Sequence, residues 1–167
     1  MSAAARPPLA KLEADLPLRR APWDRPLGDE DFPEAGVLVA LTDEAQPRVV
    51  LGRRAMHLFH HPGEVAFAGG KREARDDSPW ATALREAREE VGLPESLPRP
   101  IGELAPLITR TGFKVHPCVA VVPAQPRLAS ASRQRRTVWS VEHVANELGE
   151  ALAALGKLSA ATSPSWP

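Results

Sequence analysis

The stretch FAGGKREARDDSPWATALREAREEVGL, residues 67–93, constrains the chain most, because it marks both ends of a helix and loads one side of it with carboxylates. Ser78 is a residue type that caps orphan N–H groups, and Pro79 follows at the first helical position, where its missing N–H costs nothing. Gly92 suits the left-handed residue past the last turn, and Pro94 blocks continuation. The spacing therefore predicts a helix over Pro79–Val91. Ala83, Leu84, Ala87 and Val91 form its apolar stripe, and Glu86, Glu89 and Glu90 fall together on a neighbouring face, since residues three and four apart are adjacent on a helix. Most charge runs are solvated faces, so this one alone does not establish a site. Clustered carboxylates repel one another. Arg85 and Arg88 relieve part of that, and a divalent cation would relieve more. Oxygen-only donors suit magnesium or manganese.

Around this helix the chain alternates apolar runs with turn chemistry. Gly36–Thr42 and Arg48–Gly52 read as two strands joined through the polar DEAQP turn, and Glu64–Phe67 reads as a third that runs into a Gly69-Gly70 turn. Ile101–Ile108, Phe113–Val122 and Val138–Val141 are further strand candidates, and Glu142–Leu158 is amphipathic enough for a closing helix. Leu9, Leu12 and Leu16 share one face of a short N-terminal helix, Met1–Pro8 reads as disordered, and Ala21–Pro33 reads as an extended linker. Hairpin-linked strands with separated helices argue for an α+β fold, with a mixed sheet between helices. A chain of 167 residues accommodates one such domain. The expected division is an N-terminal extension over 1–33, a domain over 34–158 and a disordered tail over 159–167.

Composition excludes several classes. A formal net charge of zero gives no global attraction to nucleic acid or to anionic membranes. No apolar stretch approaches a membrane span, and the N-terminus lacks the apolar segment of a signal peptide. Cys118 is the single cysteine, so neither a disulfide framework nor a cysteine-based zinc site is available. A cytoplasmic location is the expectation.

The glycine, the loop and the helical R-E-x-x-E-E-x-G element, here Arg85, Glu86, Glu89, Glu90 and Gly92, resemble the signature of the Nudix hydrolases. The common spacing of that family would place the glycine at Lys71 and an acidic residue at Asp77. Here the glycine stands one earlier, at Gly70, and Asp76 precedes Asp77. This longer loop, together with Arg54, Leu58, His61, Gly63, Glu64, Val65, Phe67, Gly69 and Gly70 and the later TRTGFKVHPCVAVVP, is similar to the coenzyme A diphosphatase branch, over about half the chain from Gly36 to Pro123. Ala68 stands where the branch usually has proline. VWSVEHVANEL loosely resembles the family's late strand and helix, whereas the final LSAATSPSWP departs from its usual ending.

The resemblance implies a Nudix-type α/β/α sandwich and a hydrolase dependent on magnesium or manganese that cleaves coenzyme A, free or acylated, to 3′,5′-ADP and 4′-phosphopantetheine. It implies Glu86 and Glu90 as main metal ligands, with Glu89 as a further ligand or as the base and the Gly70 carbonyl as another oxygen. Arg85 would orient the glutamates, and Arg54, His61, Glu64, Gly69 and Lys71 would contact the substrate. Oligomeric state is left open, a homodimer included. Two alternatives compete: another nucleoside diphosphate derivative such as ADP-ribose or a dinucleotide as substrate, or a catalytically inactive binding module.

Other residues have plainer readings. His57, His60 and His61 would need a helix to share a zinc ion, yet they lead straight into a strand. Cys118 and His116 lie in an apolar strand and read as structural. Arg133, Arg135 and Arg136 read as a solvated loop, and Trp80, Trp139 and Trp166 are not interleaved with basic residues in a base-stacking pattern.

Overall fold

The computed structural model describes residues 8–54, 65–126, 128 and 134–140. In chain order these form α1 (Pro8–Asp15), β1 (Glu34–Asp43), β2 (Arg48–Arg54), β3 (Val65–Ala66), β4 (Ala68–Lys71), α2 (Pro79–Val91), β5 (Arg99–Glu103), β6 (Leu107–Ile108), β7 (Lys114–Pro123) and β8 (Gln134–Ser140). The eight strands make one mixed sheet with a spine ordered β3-β2-β1-β7-β5, to which β4 adds on β1, β6 on β7 and β8 on β2. At its centre β1 and β7 run parallel from Glu34↔Lys114 to Asp43↔Pro123, and every other pairing is antiparallel. A parallel pair buried on both faces has to be apolar along its length. GVLVALT and CVAVV are, and Leu38, Ala40, Cys118, Ala120 and Val122 are all buried.

Each face of the sheet has its own helix. On one, Trp80, Ala83, Ala87 and Val91 of α2 pack with Leu38, Ala40, Ala68, Cys118 and Ala120. On the other, Leu9, Leu12 and Leu16 pack with Leu41, Val49, Leu51, Ile101 and Val121. This is the α+β sandwich the sequence predicts, with α1 as the cover of the second face. The closing helix expected over 142–158 lies outside the described residues. No described helix is long and apolar enough to cross a membrane.

Three local expectations are corrected. Gly69-Gly70 is not a turn: Ala68–Lys71 is strand β4, paired as Val37↔Gly69 and Gly36↔Gly70. The strands approach so closely there that a Cβ on Gly69 would sit 2.5 Å from Val37 Cγ2 and 2.8 Å from the Gly36 carbonyl oxygen, so only glycine fits. The run expected as one strand over 101–108 divides into β5 and β6 around Leu104-Ala105-Pro106, where proline cannot donate to a ladder. Arg135 and Arg136, expected in a loop, lie in β8, because β2 pairs along its whole length, from Arg48↔Ser140 to Arg54↔Gln134.

Helix α2 lies directly on β1 at Gly36, where a Cβ would meet the Pro79 carbonyl oxygen at 2.4 Å and the Ala83 nitrogen at 2.9 Å. Both obstacles are backbone, so the helix itself would have to move. Gly36→Ala should therefore lower stability by about 2–3 kcal/mol, the scale of an overpacked core, read as a shifted midpoint in thermal or urea unfolding.

Candidate active site

The strand-to-helix passage from β4 through residues 72–78 into α2 assembles the site. The Ser78 side chain caps α2 by accepting from the Ala81 N–H at 3.2 Å. At the other end Gly92 adopts φ 66°, and Gly92 and Leu93 donate to the Arg88 and Ala87 carbonyls. The helix is thus fixed at both ends over the bounds its sequence predicts, and its glutamates are held facing β4.

Arg85 is the organising residue. It is 4% exposed and spends its guanidinium on several acceptors at once. Nε and Nη2 donate to the Asp76 carboxylate at 3.0 and 2.9 Å, and Nη2 also donates to the Lys71 carbonyl at 3.0 Å. Nη1 donates to Glu86 Oε1 at 2.8 Å and to Glu89 Oε2 at 3.2 Å. A buried guanidinium is tolerable only when its donors are used this fully. The hydrogen bonds to Asp76, followed by those to Glu86, raise the pKa of Arg85 further despite burial.

Asp76, to which the sequence alone gave no role, is the acid that holds Arg85. Asp77 lies at the surface, where its carboxylate accepts from the Ser78 hydroxyl. Asp76 is buried and accepts from Arg85, from the Thr82 hydroxyl and from the Glu73 N–H. The signal was present: the glycine at 70 is one position early, and the acid is early by the same amount. Burial pushes the Asp76 carboxyl up, but the hydrogen bonds from Arg85, Glu73 and Thr82 outweigh it and hold it below the usual carboxylate range.

The glutamates differ in surroundings. Glu86 is partly buried, and burial pushes its carboxyl above the usual range; Arg85 opposes this, while Glu89 and Glu73 add to it. Its carboxylate rests against Gly70, where a Cβ would stand 2.3 Å from Oε1. Glu89 is exposed and also pairs with Arg75 at 3.2 Å. Glu90 accepts from the Gly69 N–H at 3.1 Å. Of the residues expected at the site, Glu86 and Glu90 thus meet β4 at Gly70 and at the Gly69 N–H, and Glu89 shares Arg85 with Glu86. Among the described residues no three carboxylate, imidazole or thiol groups form a ready coordination cage. The donors are nonetheless the hard oxygens that magnesium and manganese select, and the cradle that a Cβ on Gly70 would fill is kept open against Glu86.

A family model described as the NUDIX domain matches residues 32–148. The chain belongs to the Nudix family. An uncharacterized Nudix hydrolase, NudL, of Yersinia pestis (strain Pestoides F) is 48% identical over 90 residues, 54% of this chain and 45% of that one. NudL of Yersinia pseudotuberculosis serotype O:1b matches to the same extent, 48% over 90 residues. The chain thus spans about half the length of these curated Nudix relatives. Among solved structures, a Caenorhabditis elegans Ap4A hydrolase aligns with TM-score 0.58 and 18% identity over 75% of this chain and 96% of that one. The Nudix hydrolase RenU of Mycobacterium smegmatis gives 0.57 and 19% over 75% and 89%. The NUDIX domain of Shewanella oneidensis NrtR, crystallised with ADP ribose, gives 0.54 and 19% over 90% and 98%. These likenesses concern the Nudix fold.

Lys71 ends β4 and Gly69 lies within it. Arg54 ends β2, its backbone in register with Gln134. His61 and Glu64, with His57 and His60, lie outside the described residues. Cys118 is fully buried, and burial pushes its thiol up to about 12, so at neutral pH it is no nucleophile. His116 packs edge-on against Trp23, with ring centroids 5.1 Å apart, and meets Glu34 at 3.2 Å.

Proposed function

We propose that the protein is a diphosphatase dependent on magnesium or manganese, and that coenzyme A is its substrate. The observation that carries the first half is the Glu86 carboxylate held by Arg85 against the bare Cα of Gly70, with Glu89 and Glu90 beside it. The choice of coenzyme A rests on the sequence block from Arg54 to Gly70. Glu86 and Glu90, with the Gly70 carbonyl, would hold the ion, and Glu89, kept by Arg85, would stand beside it. When bound, such an ion neutralises diphosphate oxygens and acidifies a water. Arg85 keeps Glu86 and Glu89 in position through charge-assisted hydrogen bonds. Glu89, the most exposed of the three, takes the proton from the attacking water. The water oxygen joins one phosphorus, the bridging P–O bond breaks, and its electron pair leaves with the departing phosphate. Arg54, His61, Glu64, Gly69 and Lys71 would line the path of the substrate. The products are 3′,5′-ADP and 4′-phosphopantetheine.

A substrate panel tests the reading. Coenzyme A, acyl-coenzyme A, ADP-ribose and a diadenosine polyphosphate are compared at fixed manganese, with products resolved by chromatography. Coenzyme A or its acyl form should give the highest kcat/KM. A clear preference for ADP-ribose or the dinucleotide would replace the substrate and keep the reaction. Binding without cleavage of any of them would favour a non-catalytic module.

A further inference from the structure

Beside the carboxylate site, a cleft of about 510 Å³ opens between the arm that precedes β1 and the exit of β4, lined by Leu27, Gly28, Glu30, Pro33, Lys71 and Arg72. Lys71 and Arg72 follow directly after Gly70 in the chain, Lys71 as the last residue of β4. Arg72 is built in. Its side chain is only 9% exposed, and its Nη1 reaches the Arg25 carbonyl at 2.8 Å and Glu34 Oε2 at 3.4 Å. Its guanidinium stacks 4.7 Å from the Trp23 ring centroid, yet its buried Nε has no hydrogen-bond partner among the described residues. A nearly buried guanidinium with a donor unspent is costly unless another negative charge comes close.

One already does. The Glu30 carboxylate sits in the cleft, accepting from the backbone N–H of Gly28, a glycine at φ 97°. Its pKa is lowered first by its own backbone N–H, with Gly28, Arg72 and Lys71 adding to the effect against desolvation. The protein thus lines the cleft with a negative group of its own, held by a backbone donor, alongside Lys71 and Arg72.

We propose that this cleft is a subsite for a phosphomonoester dianion, and that the Glu30 carboxylate stands in for the phosphate when no ligand is bound. The assignment rests on the coenzyme A reading for its ligand: the ribose 3′-phosphate lies only a few bonds from the diphosphate that Glu86, Glu89 and Glu90 would address. A dianion satisfies Lys71 and Arg72 better than one carboxylate does, because it carries more charge and three acceptor oxygens. Glu30 leaves on a short loop, and its departure removes a like charge from the incoming phosphate. The subsite would separate substrates carrying a ribose phosphate from otherwise identical ones that lack it.

Binding of product-like probes tests this without turnover. Affinities of 3′,5′-ADP, 5′-AMP and inorganic phosphate are measured by calorimetry for wild type, Glu30→Gln and Lys71→Gln. Wild type should bind 3′,5′-ADP about 10- to 100-fold more tightly than 5′-AMP, the scale of a hydrogen-bonded charge pair. Lys71→Gln should shrink that ratio, and Glu30→Gln should enlarge it. Equal affinities for the two nucleotides in wild type, with neither substitution altering the ratio, would overturn the proposal even if coenzyme A is hydrolysed. Tighter inorganic phosphate binding in Glu30→Gln with an unchanged nucleotide ratio would assign the cleft to free phosphate and overturn its link to the substrate. The predicted ratio in a protein that cleaves no coenzyme A would support the subsite and count only against the diphosphatase reading.

Discussion

Gly70→Ala should cost on the order of 100-fold in kcat while moving the unfolding midpoint little. The added Cβ would stand 2.3 Å from Glu86 Oε1 and 2.4 Å from its Cδ. Both belong to the far end of a flexible side chain, so the chain can accommodate the methyl by swinging the carboxylate aside rather than by moving the helix. Stability is spared, but the carboxylate is displaced by roughly an ångström, and misplacement of that size costs about 10²-fold when geometry supplies the rate. Steady-state kinetics and thermal unfolding on one preparation check both halves. The contrast with Gly36→Ala is the control: there the obstacles are backbone, and stability should fall instead. A Gly70→Ala protein with wild-type kcat would remove Glu86 from the proposed chemistry.

Asp76→Ala should be the most destabilising single change near the site, by about 3 kcal/mol. It strips the buried Arg85 of its best acceptor and leaves the Thr82 hydroxyl and the Glu73 N–H without theirs. Breaking one side of a buried ion pair costs roughly 3–5 kcal/mol, and the lower end applies because Glu86, Glu89 and the Lys71 carbonyl still accept from Arg85. The pH dependence has a definite sign. The Asp76 carboxyl is held below its unfolded value, so its contribution is fully present above about pH 4 and is lost as pH falls through the folded value. Urea unfolding between pH 3 and 7 should show that loss in wild type and a flatter acid limb in Asp76→Asn. Parallel acid limbs would mean that the pair stores no such free energy.

How much of this was legible in the sequence depends on whether the cause is local. The bounds of α2 were, because Ser78, Pro79 and Gly92 act on their own turn of backbone. So were β1 and β7, whose continuous apolar runs announce burial on both faces. Strand β4 was not, because two glycines read locally as a turn, and only the neighbouring Val37 explains why nothing larger fits. The first half of strand β8 was missed for a related reason: QRR has no apolar pattern, and its pairing is imposed by β2. Within the site, the glutamates on α2 and the anchoring of Arg85 followed from helix spacing and the family resemblance. The choice of Asp76 over Asp77 was marked only by the matching one-residue shift of Gly70, because two adjacent aspartates otherwise look alike. Arg72, Glu34 and Trp23 come together from segments distant in sequence, so no local pattern announced them.

The most direct test of the diphosphatase is the release of 3′,5′-ADP and 4′-phosphopantetheine from coenzyme A, followed for wild type and a Glu89→Gln, Glu90→Gln double variant with manganese and with a chelator. The two variants of the protein should share the same circular dichroism spectrum. Wild type should form both products in equal amounts with manganese and none with chelator, and the double variant should be slower by roughly 10³-fold, the scale of losing a positioned base together with a ligand. Cleavage that persists with chelator, or that proceeds in the double variant at the wild-type rate, would contradict the account.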